Sequence, residues 1–100
     1  MGIADALFSQ TQQRVLGLLF GQPEREFGTV ELIELAGSGR GTVQRELERL
    51  AASGIISFTR LGQQKRYRAN RKSPLFEELR SIVDKTAGVP QVLQAALFTT

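Results

Sequence analysis

The feature that most constrains this fold is a short amphipathic segment near the middle of the chain, residues 41–53. Val43, Leu47 and Leu50 recur at helical spacing, so a helix here presents all three on one face. At about 100° per residue, Arg45 lies roughly 160° from that apolar stripe. The segment therefore predicts a helix with one face packed on a core and one cationic face, the form that a helix needs to enter the DNA major groove.

A shorter helix precedes this one, and a glycine-containing turn joins the two. Thr29 is its predicted N-cap. Its predicted buried residues are Leu32, Ile33, Leu35 and Ala36. Gly37 breaks this helix, and Gly54 is predicted to end the following one in the left-handed conformation that glycine adopts without a Cβ clash. Two short helices joined by such a turn form a helix-turn-helix.

The first helix of the chain begins at a capping box, with Ser9 as the N-cap and Gln12 as the third helical residue. Its apolar residues lie nearly all round, at Val15, Leu16, Leu18, Leu19 and Phe20. Such a helix is typically buried on several sides, which suits the centre of a small domain. Phe27 follows in a polar link, where it forms either a brief strand or an anchor for the next turn.

Two short strands are predicted after the central helix. Residues 55–61 alternate and are rich in β-branched and aromatic side chains. Residues 62–64 form a turn, and residues 65–69 form the return strand of a hairpin with a basic tip. A helix-turn-helix followed by such a hairpin predicts a winged helix, in which Tyr67 is a core aromatic residue between the hairpin and the helices.

Two further helices are predicted after the hairpin, so the fold class is mainly α with a small β-hairpin (α+β). Ser73 is the N-cap and Pro74 the first residue of one helix, and Pro90 opens the other. We divide the chain into a DNA-binding core, residues 1–72, and C-terminal helices, residues 73–100, within one structural domain. The apolar seams of these helices either complete the monomer core or form a two-fold dimer interface, which is the interpretation that we favour. The predicted interface residues are Leu75, Phe76, Leu79, Ile82, Val83, Val92, Leu93, Ala96 and Leu97.

The basic residues are concentrated in one part of the chain. The net charge is only +3, but residues 40–72 carry nine Arg and Lys side chains against two Glu, whereas the remainder carries four against eight acidic ones. A basic block on an otherwise acidic protein indicates a polyanion partner. The candidate DNA-binding residues on the helix are Arg40, Gly41, Thr42, Gln44, Arg45 and Arg49. Those on the hairpin are Arg60, Gln63, Gln64, Lys65, Arg66 and Arg68.

These candidates have expected roles and structural alternatives. Arginine pairs with guanine and glutamine with adenine, each discriminating by ~1–3 kcal/mol, so side chains near the helix start are expected to meet base edges. Gly41 lets the helix N-terminus approach a phosphate closely. The alternative is that Arg45 and Arg49 only form ion pairs with Glu46 and Glu48. The hairpin cations are expected to follow the phosphates, or to protect an exposed strand edge.

The composition excludes several classes of function. The chain has no His and no Cys, which excludes disulfides, thiolate or imidazole metal sites and histidine-based acid–base catalysis. The glycines before the central helix lack the Lys-Ser ending of a phosphate-binding loop. We therefore predict a non-enzyme without cofactor or metal. No apolar run approaches the roughly 20 residues that span a bilayer, and residues 1–7 lack signal-peptide features, so we expect a cytoplasmic protein with no membrane partner.

Three motifs resemble those of a known family. They are Gly-Arg-Gly-Thr-Val-Gln-Arg-Glu-Leu-Glu-Arg-Leu at 39–50, Ala-Ser-Gly-Ile-Ile at 52–56 and Gly-x-x-x-x-Tyr-Arg-Ala-Asn at 62–70. Together they resemble bacterial and archaeal winged helix-turn-helix regulators of the broad ArsR type. The closer similarity is to the small winged-helix domains fused ahead of nucleotidyltransferases, through Ser-Pro-x-Phe-x-Glu-Leu at 73–79 and Lys-Thr-x-Gly-Val at 85–89.

The resemblance implies a homodimer that binds duplex DNA and regulates transcription, with Thr42, Gln44 and Arg45 reading bases. Metal-sensing members use Cys and His ligands, which this chain lacks. The Gly-Ser motif of the transferase domain is also missing, so the chain is either a stand-alone form or a fragment of a longer fusion. The alternative function is an interaction or targeting module for a nucleotidyltransferase, in which the winged helix binds protein or RNA.

Overall fold

The computed structural model describes residues 6–85. The elements in this range are α1 (Gln10–Gly21), β1 (Phe27–Gly28), α2 (Thr29–Ala36), α3 (Arg40–Ala52), β2 (Ile56–Leu61), β3 (Gln64–Ala69) and α4 (Phe76–Lys85). The strands form an antiparallel sheet in the order β1-β3-β2; α1, α2 and α3 pack against this sheet, and α4 packs against α1. Within residues 6–85, no helix is long and apolar enough to cross a membrane.

α1 occupies the centre of the core, because its apolar residues point in several directions. Leu19 and Phe20 are fully buried, and the ring of Phe20 lies 5.8 Å from the ring of Phe76 on α4. The predicted capping box is confirmed. The Gln12 N–H donates to Ser9 Oγ at 3.1 Å, and the Ser9 N–H donates to Gln12 Oε1 at 2.9 Å.

The N-cap of α2 is Gly28 and not Thr29 as predicted. Gly28 has an extended backbone, and its N–H donates to Glu31 Oε1 at 3.3 Å. The Thr29 hydroxyl instead donates to the carbonyl oxygen of Lys65 at 3.5 Å. The Thr29 side chain therefore connects α2 to the hairpin, and Gly28 takes the N-cap position instead.

The predicted buried face of α2 is correct for Leu32 and Ala36 and wrong for Leu35. Leu32 and Ala36 are buried, and Ile33 packs against the core while partly exposed, but Leu35 is 52% exposed. At about 100° per residue, Leu35 lies about 100° from Ala36, beyond the edge of the buried stripe. Gly37 ends the helix with a φ of 67°, the left-handed conformation.

α3 packs against α1, α2 and β2 through the predicted apolar stripe. Val43 and Leu47 are fully buried, and Leu50 is 4% exposed. The helix ends at Ala52, one residue before the predicted end, and Gly54 follows with a φ of 78°. With the apolar stripe fixed on the core, the polar face of α3 points to solvent.

The register of the hairpin decides which of its side chains face the helices. Phe58 lies opposite Tyr67, and Arg60 lies opposite Lys65. Directly opposed residues share one face of a sheet, and here it is the inner face, because Tyr67 is 3% exposed between the hairpin and the helices as predicted. Phe27 of β1 also pairs with Tyr67, so the polar link contains a brief strand. The outer face carries Ser57, Thr59, Arg66 and Arg68.

α4 begins at Phe76, two residues later than predicted. Pro74 lies in a turn in which the Phe76 N–H donates to the carbonyl oxygen of Ser73 at 3.0 Å. The carbonyl of Leu75 accepts the first helical hydrogen bond, from the Leu79 N–H at 2.9 Å. Ser73 Oγ accepts from the Leu75 N–H at 3.2 Å, so Ser73 caps the turn and not the helix.

The apolar residues of α4 and of the turn before it are divided between the monomer core and the surface. Phe76 and Val83 are buried in the core of the single chain, Leu79 is partly buried against it, and Leu75 is 51% exposed. Completion of the monomer core, the alternative that the sequence left open, therefore explains Phe76 and Val83. The dimer interface stays a prediction. The helix predicted from Pro90 and the interface residues Val92, Leu93, Ala96 and Leu97 lie outside the described residues.

Replacing Leu47 by alanine should lower the free energy of unfolding by about 2–5 kcal/mol, because a cavity forms where α3 meets the core. Leu35→Ala is the matched control. Since Leu35 is 52% exposed, its truncation should change stability by no more than about 0.5 kcal/mol. Urea unfolding followed by circular dichroism measures both variants, and equal losses would contradict the assignment of the buried faces.

Candidate nucleic-acid interface

A groove of about 600 Å³ runs between α3, the start of α2 and the hairpin. Arg40, Gln44 and Glu48 line the side formed by α3, since residues four apart share one face of a helix. The hairpin lines the groove with Arg60, Gln63, Gln64, Lys65, Arg66 and Tyr67. The structure therefore brings two predicted contact residues of the helix together with five of the hairpin.

Two of the charged groups that line the groove are already paired. Nε of Arg66 lies 3.5 Å from Oε1 of Glu26, and Arg66 also donates to the Glu26 carbonyl oxygen at 3.4 Å. Glu31 forms an ion pair with Arg25. Neither partner, Glu26 or Arg25, lines the groove itself. The two pairs hold β3 and the start of α2 in place, and they largely neutralise Arg66 and Glu31.

Three cations of the groove have no ion pair among residues 6–85: Arg40, Arg60 and Lys65. Nζ of Lys65 lies 4.6 Å above the ring of Phe58, a cation–π contact. Glu48 is the carboxylate of the groove without an ion pair in the same range. The unpaired charge is therefore predominantly positive, which suits a polyanion. No group of acidic side chains in the described part of the chain is arranged to hold a metal ion.

Tyr67 lines the groove close to Glu48 and Arg60. Its ring lies 5.7 Å from the ring of Phe58, and its side chain is almost completely buried. Burial raises the pKa of the Tyr67 hydroxyl, the Glu48 carboxylate raises it further, and the Arg60 guanidinium lowers it. The net result is a raised pKa, so the hydroxyl is a protonated hydrogen-bond donor at neutral pH.

The other candidates on α3 lie outside the groove, on its solvent side. Gly41, Thr42 and Arg45 are exposed, and among the described residues a Cβ added at Gly41 would meet nothing within 4 Å beyond its own neighbours and helix backbone. Arg49 forms an ion pair with Glu46 one turn before it, which is the structural alternative that the sequence allowed. Arg45 has no such partner among the described residues.

Arg68 lies on the outer face of the sheet, away from the groove. It lines a second hollow together with Ser57, Arg71 and Lys72. Arg71 forms an ion pair with Glu24 there. The structure therefore does not bring Arg68 together with the hairpin candidates at the tip.

Sequence reasoning missed two polar groups of the groove, the Glu48 carboxylate and the Tyr67 hydroxyl. Glu48 was predicted only as an ion-pair partner of the arginines on α3, although its position one turn after Gln44 places it on the same face of the helix as Gln44. Tyr67 was assigned to the core, which is correct for its ring. The alternation of β3 carries the missing signal, because it places Tyr67 on the same strand face as Lys65.

Solved structures of similar fold come from two organisms. The crystal structure of AF1382 from Archaeoglobus fulgidus matches with a TM-score of 0.66 and 14% identity, over 83% of this chain and 94% of that one. The solution structure of fragment 1–100 of Mb0332 from Mycobacterium bovis matches with a TM-score of 0.56 and 20% identity, over 87% of this chain and 90% of that one. It is described as the homodimeric winged helix-turn-helix DNA-binding domain of a possible ArsR-family transcriptional regulator.

The fold of this chain is a winged helix-turn-helix. α2 and α3 form the helix-turn-helix, and the hairpin of β2 and β3 is the wing. The predicted fold class is thereby confirmed. No family model and no curated protein matches the sequence.

The ionisation of the winged helix's buried tyrosine can be measured directly, because the chain has one Tyr and no Trp. The pKa of Tyr67 should lie above its ordinary value of about 10, and Glu48→Gln should lower it. A raised pKa means that ionisation of Tyr67 disfavours the folded state. The free energy of unfolding should therefore be unaffected by this group below about pH 10 and should fall as the pH rises from there through the folded-state pKa. Spectrophotometric titration of both proteins tests this, and ionisation of the wild type at the ordinary value would contradict it.

Proposed function

We propose that this protein is a homodimeric transcriptional regulator that binds duplex DNA at specific sequences. The observation that carries the proposal is the groove between α3 and the wing, where Arg40, Arg60 and Lys65 gather without ion pairs in the described range. The DNA major groove admits an α-helix, and the polar side of α3 is exposed in the described part of the chain. The description of the similar M. bovis domain as DNA-binding supports this assignment.

In this proposal, α3 supplies the contacts to base edges. Thr42, Gln44 and Arg45 are exposed in the first half of the helix, where recognition helices meet bases. Arginine binds guanine bidentately, and glutamine binds adenine in the same way. Arg49, which lies further along and is paired with Glu46, contributes less.

The wing supplies the contacts to the DNA backbone. Arg60 and Lys65 face each other across the hairpin close to its tip, Gln63 lies in the turn, and Gln64 begins β3 directly after it. Contacts to phosphates position a protein on the duplex and carry no sequence information directly. The wing cations therefore set affinity and orientation, while α3 sets the preferred sequence.

A homodimer would present two copies of α3 to a two-fold-symmetric operator. The M. bovis domain is described as homodimeric, and in this chain Leu75, in the turn before α4, is exposed while Leu79 of α4 is partly buried. We infer an interface that uses this side of α4 together with residues beyond 85. Neither similar structure is described with a nucleotidyltransferase, so nothing in them favours that partner. A regulator of this kind needs no catalytic residue or cofactor, and it would act in the cytoplasm of a bacterium or archaeon.

Arg45→Ala should reduce the discrimination between the preferred operator and other duplexes by about 1–3 kcal/mol, because a bidentate base contact is lost. Arg49→Ala is the matched control on the same helix and should leave the discrimination nearly unchanged, since Arg49 is paired with Glu46. Fluorescence anisotropy with duplex fragments of the source genome, at two salt concentrations, measures both variants. Full discrimination by Arg45→Ala would contradict the base-reading role of α3, and equal binding of all fragments by the wild type would contradict sequence-specific regulation.

Gly41→Ala separates what the fold requires from what DNA binding requires. Gly41 lies in the first turn of α3, an added Cβ has open space around it within the described residues, and alanine is a better helix former than glycine, so the variant should be at least as stable as the wild type. Its DNA affinity should fall, because the methyl group holds a phosphate away from the N–H groups at the start of α3. Thermal unfolding and anisotropy measure the two effects. An unchanged affinity would mean that no phosphate approaches this residue.

A further inference from the structure

The hydroxyl of Tyr67 is a polar group that the fold itself does not use. The residue is 3% exposed, yet its oxygen makes no hydrogen bond with any of residues 6–85. No side-chain nitrogen or oxygen in that range is both fully buried and without a hydrogen-bond partner. The oxygen therefore keeps contact with solvent, and Tyr67 is one of the residues that line the groove.

Packing accounts for the ring of Tyr67 but not for its oxygen. The ring is tilted against Phe58 at 5.7 Å and lies opposite Phe27 of β1. A phenylalanine would fill the same space without the oxygen. Since the oxygen keeps contact with solvent, its hydrogen-bonding capacity is available to water or to a ligand in the groove.

The Glu48 carboxylate acts on the hydroxyl more strongly than Arg60 does, but three cations of the groove without an ion pair in the described range outnumber it, so the net charge of the groove favours an anionic partner. Arg60 and Lys65 lie on the same face of the wing as Tyr67, and Arg40 lines the groove from α3. A tyrosine hydroxyl that remains protonated donates a hydrogen bond, and donation to an anionic oxygen is stronger than donation to a neutral one. A negatively charged oxygen in this groove would thus be bound by cations and by a directional donor together.

We propose that Tyr67 donates a hydrogen bond to one backbone phosphate of the bound duplex, on the strand that passes between α3 and the wing. This inference rests on the proposed function. One sugar–phosphate strand separates each major groove of B-DNA from the adjacent minor groove. A duplex with α3 in its major groove and the wing at the neighbouring minor groove lays that strand along the groove that Tyr67 lines. Arg60 and Lys65 then neutralise its charge, while the hydroxyl fixes the position of one phosphate.

Tyr67→Phe tests the inference, because it removes the oxygen and keeps the buried ring. The variant should unfold at a temperature close to that of the wild type. Its affinity for duplex DNA should fall about tenfold, the expected effect of losing one hydrogen bond to a charged group. The loss should be equal for the preferred operator and unrelated duplexes, since phosphates carry no sequence information. The salt dependence should be unchanged, because a neutral hydroxyl releases no counterion, whereas Arg60→Gln should make it shallower.

Ser57→Ala is the matched control, because it removes a hydroxyl from the outer face of the same hairpin and should leave the affinity unchanged. Duplexes that each carry one neutral methylphosphonate then identify the phosphate. The loss caused by Tyr67→Phe should shrink on the duplex modified at one position and persist on the others. An equal loss on every modified duplex, or no loss on the unmodified one, overturns this inference while leaving duplex binding in place. If the wild type binds no duplex, the proposed function fails, and this inference fails with it.

Discussion

The burial of the apolar stripe of α3 is the interaction on which the rest of the structure depends. Val43 and Leu47 are fully buried where α3 meets α1, α2 and β2. Because an α-helix has 3.6 residues per turn, burial of the apolar face also fixes the direction in which the opposite, polar face points. The wing follows directly from the end of α3, where the Ile55 N–H donates to the carbonyl oxygen of Leu50 at 3.0 Å. One packing contact thus sets both the exposure of the helix and the position of the hairpin beside it.

Ion pairs with carboxylates determine which arginines and lysines keep an unpaired positive charge. The arginines with an ion-pair partner among the described residues are Arg25, Arg49, Arg66 and Arg71. Exposed ion pairs contribute at most about 1 kcal/mol to stability, so these pairs matter less for folding than for the distribution of charge. Arg40, Arg60 and Lys65, on the two sides of the groove, are among the cations without a partner in that range, as are Arg45 on the solvent side of α3 and Arg68 on the outer face of the wing. The ion pairs therefore neutralise part of the basic block and leave the cations of the groove unpaired.

Most of the fold could be predicted from local patterns. The capping box at Ser9, the apolar stripe of α3 and the left-handed glycine after it all depend on residues close in sequence, and each is present in the structure. The N-cap error occurs because a distant residue competes for a side chain: the Thr29 hydroxyl contacts Lys65 and does not cap α2. For the candidate site, residue types, the basic block and the alternation along the hairpin were readable, but which side chains of α3 and the hairpin line one groove was not, because that depends on contacts between elements.

The sequence by itself determined the elements, the face that each helix buries and the concentration of cations, because the periods of helix and strand set side-chain directions within one element. Only the tertiary structure decided which side chains from different elements meet. It placed Arg40 and Gln44 of α3 in one groove with the tip of the wing and with Tyr67, and it placed Phe76 in the monomer core. These outcomes depend on hairpin register and helix packing, which are set by contacts between residues far apart in the chain.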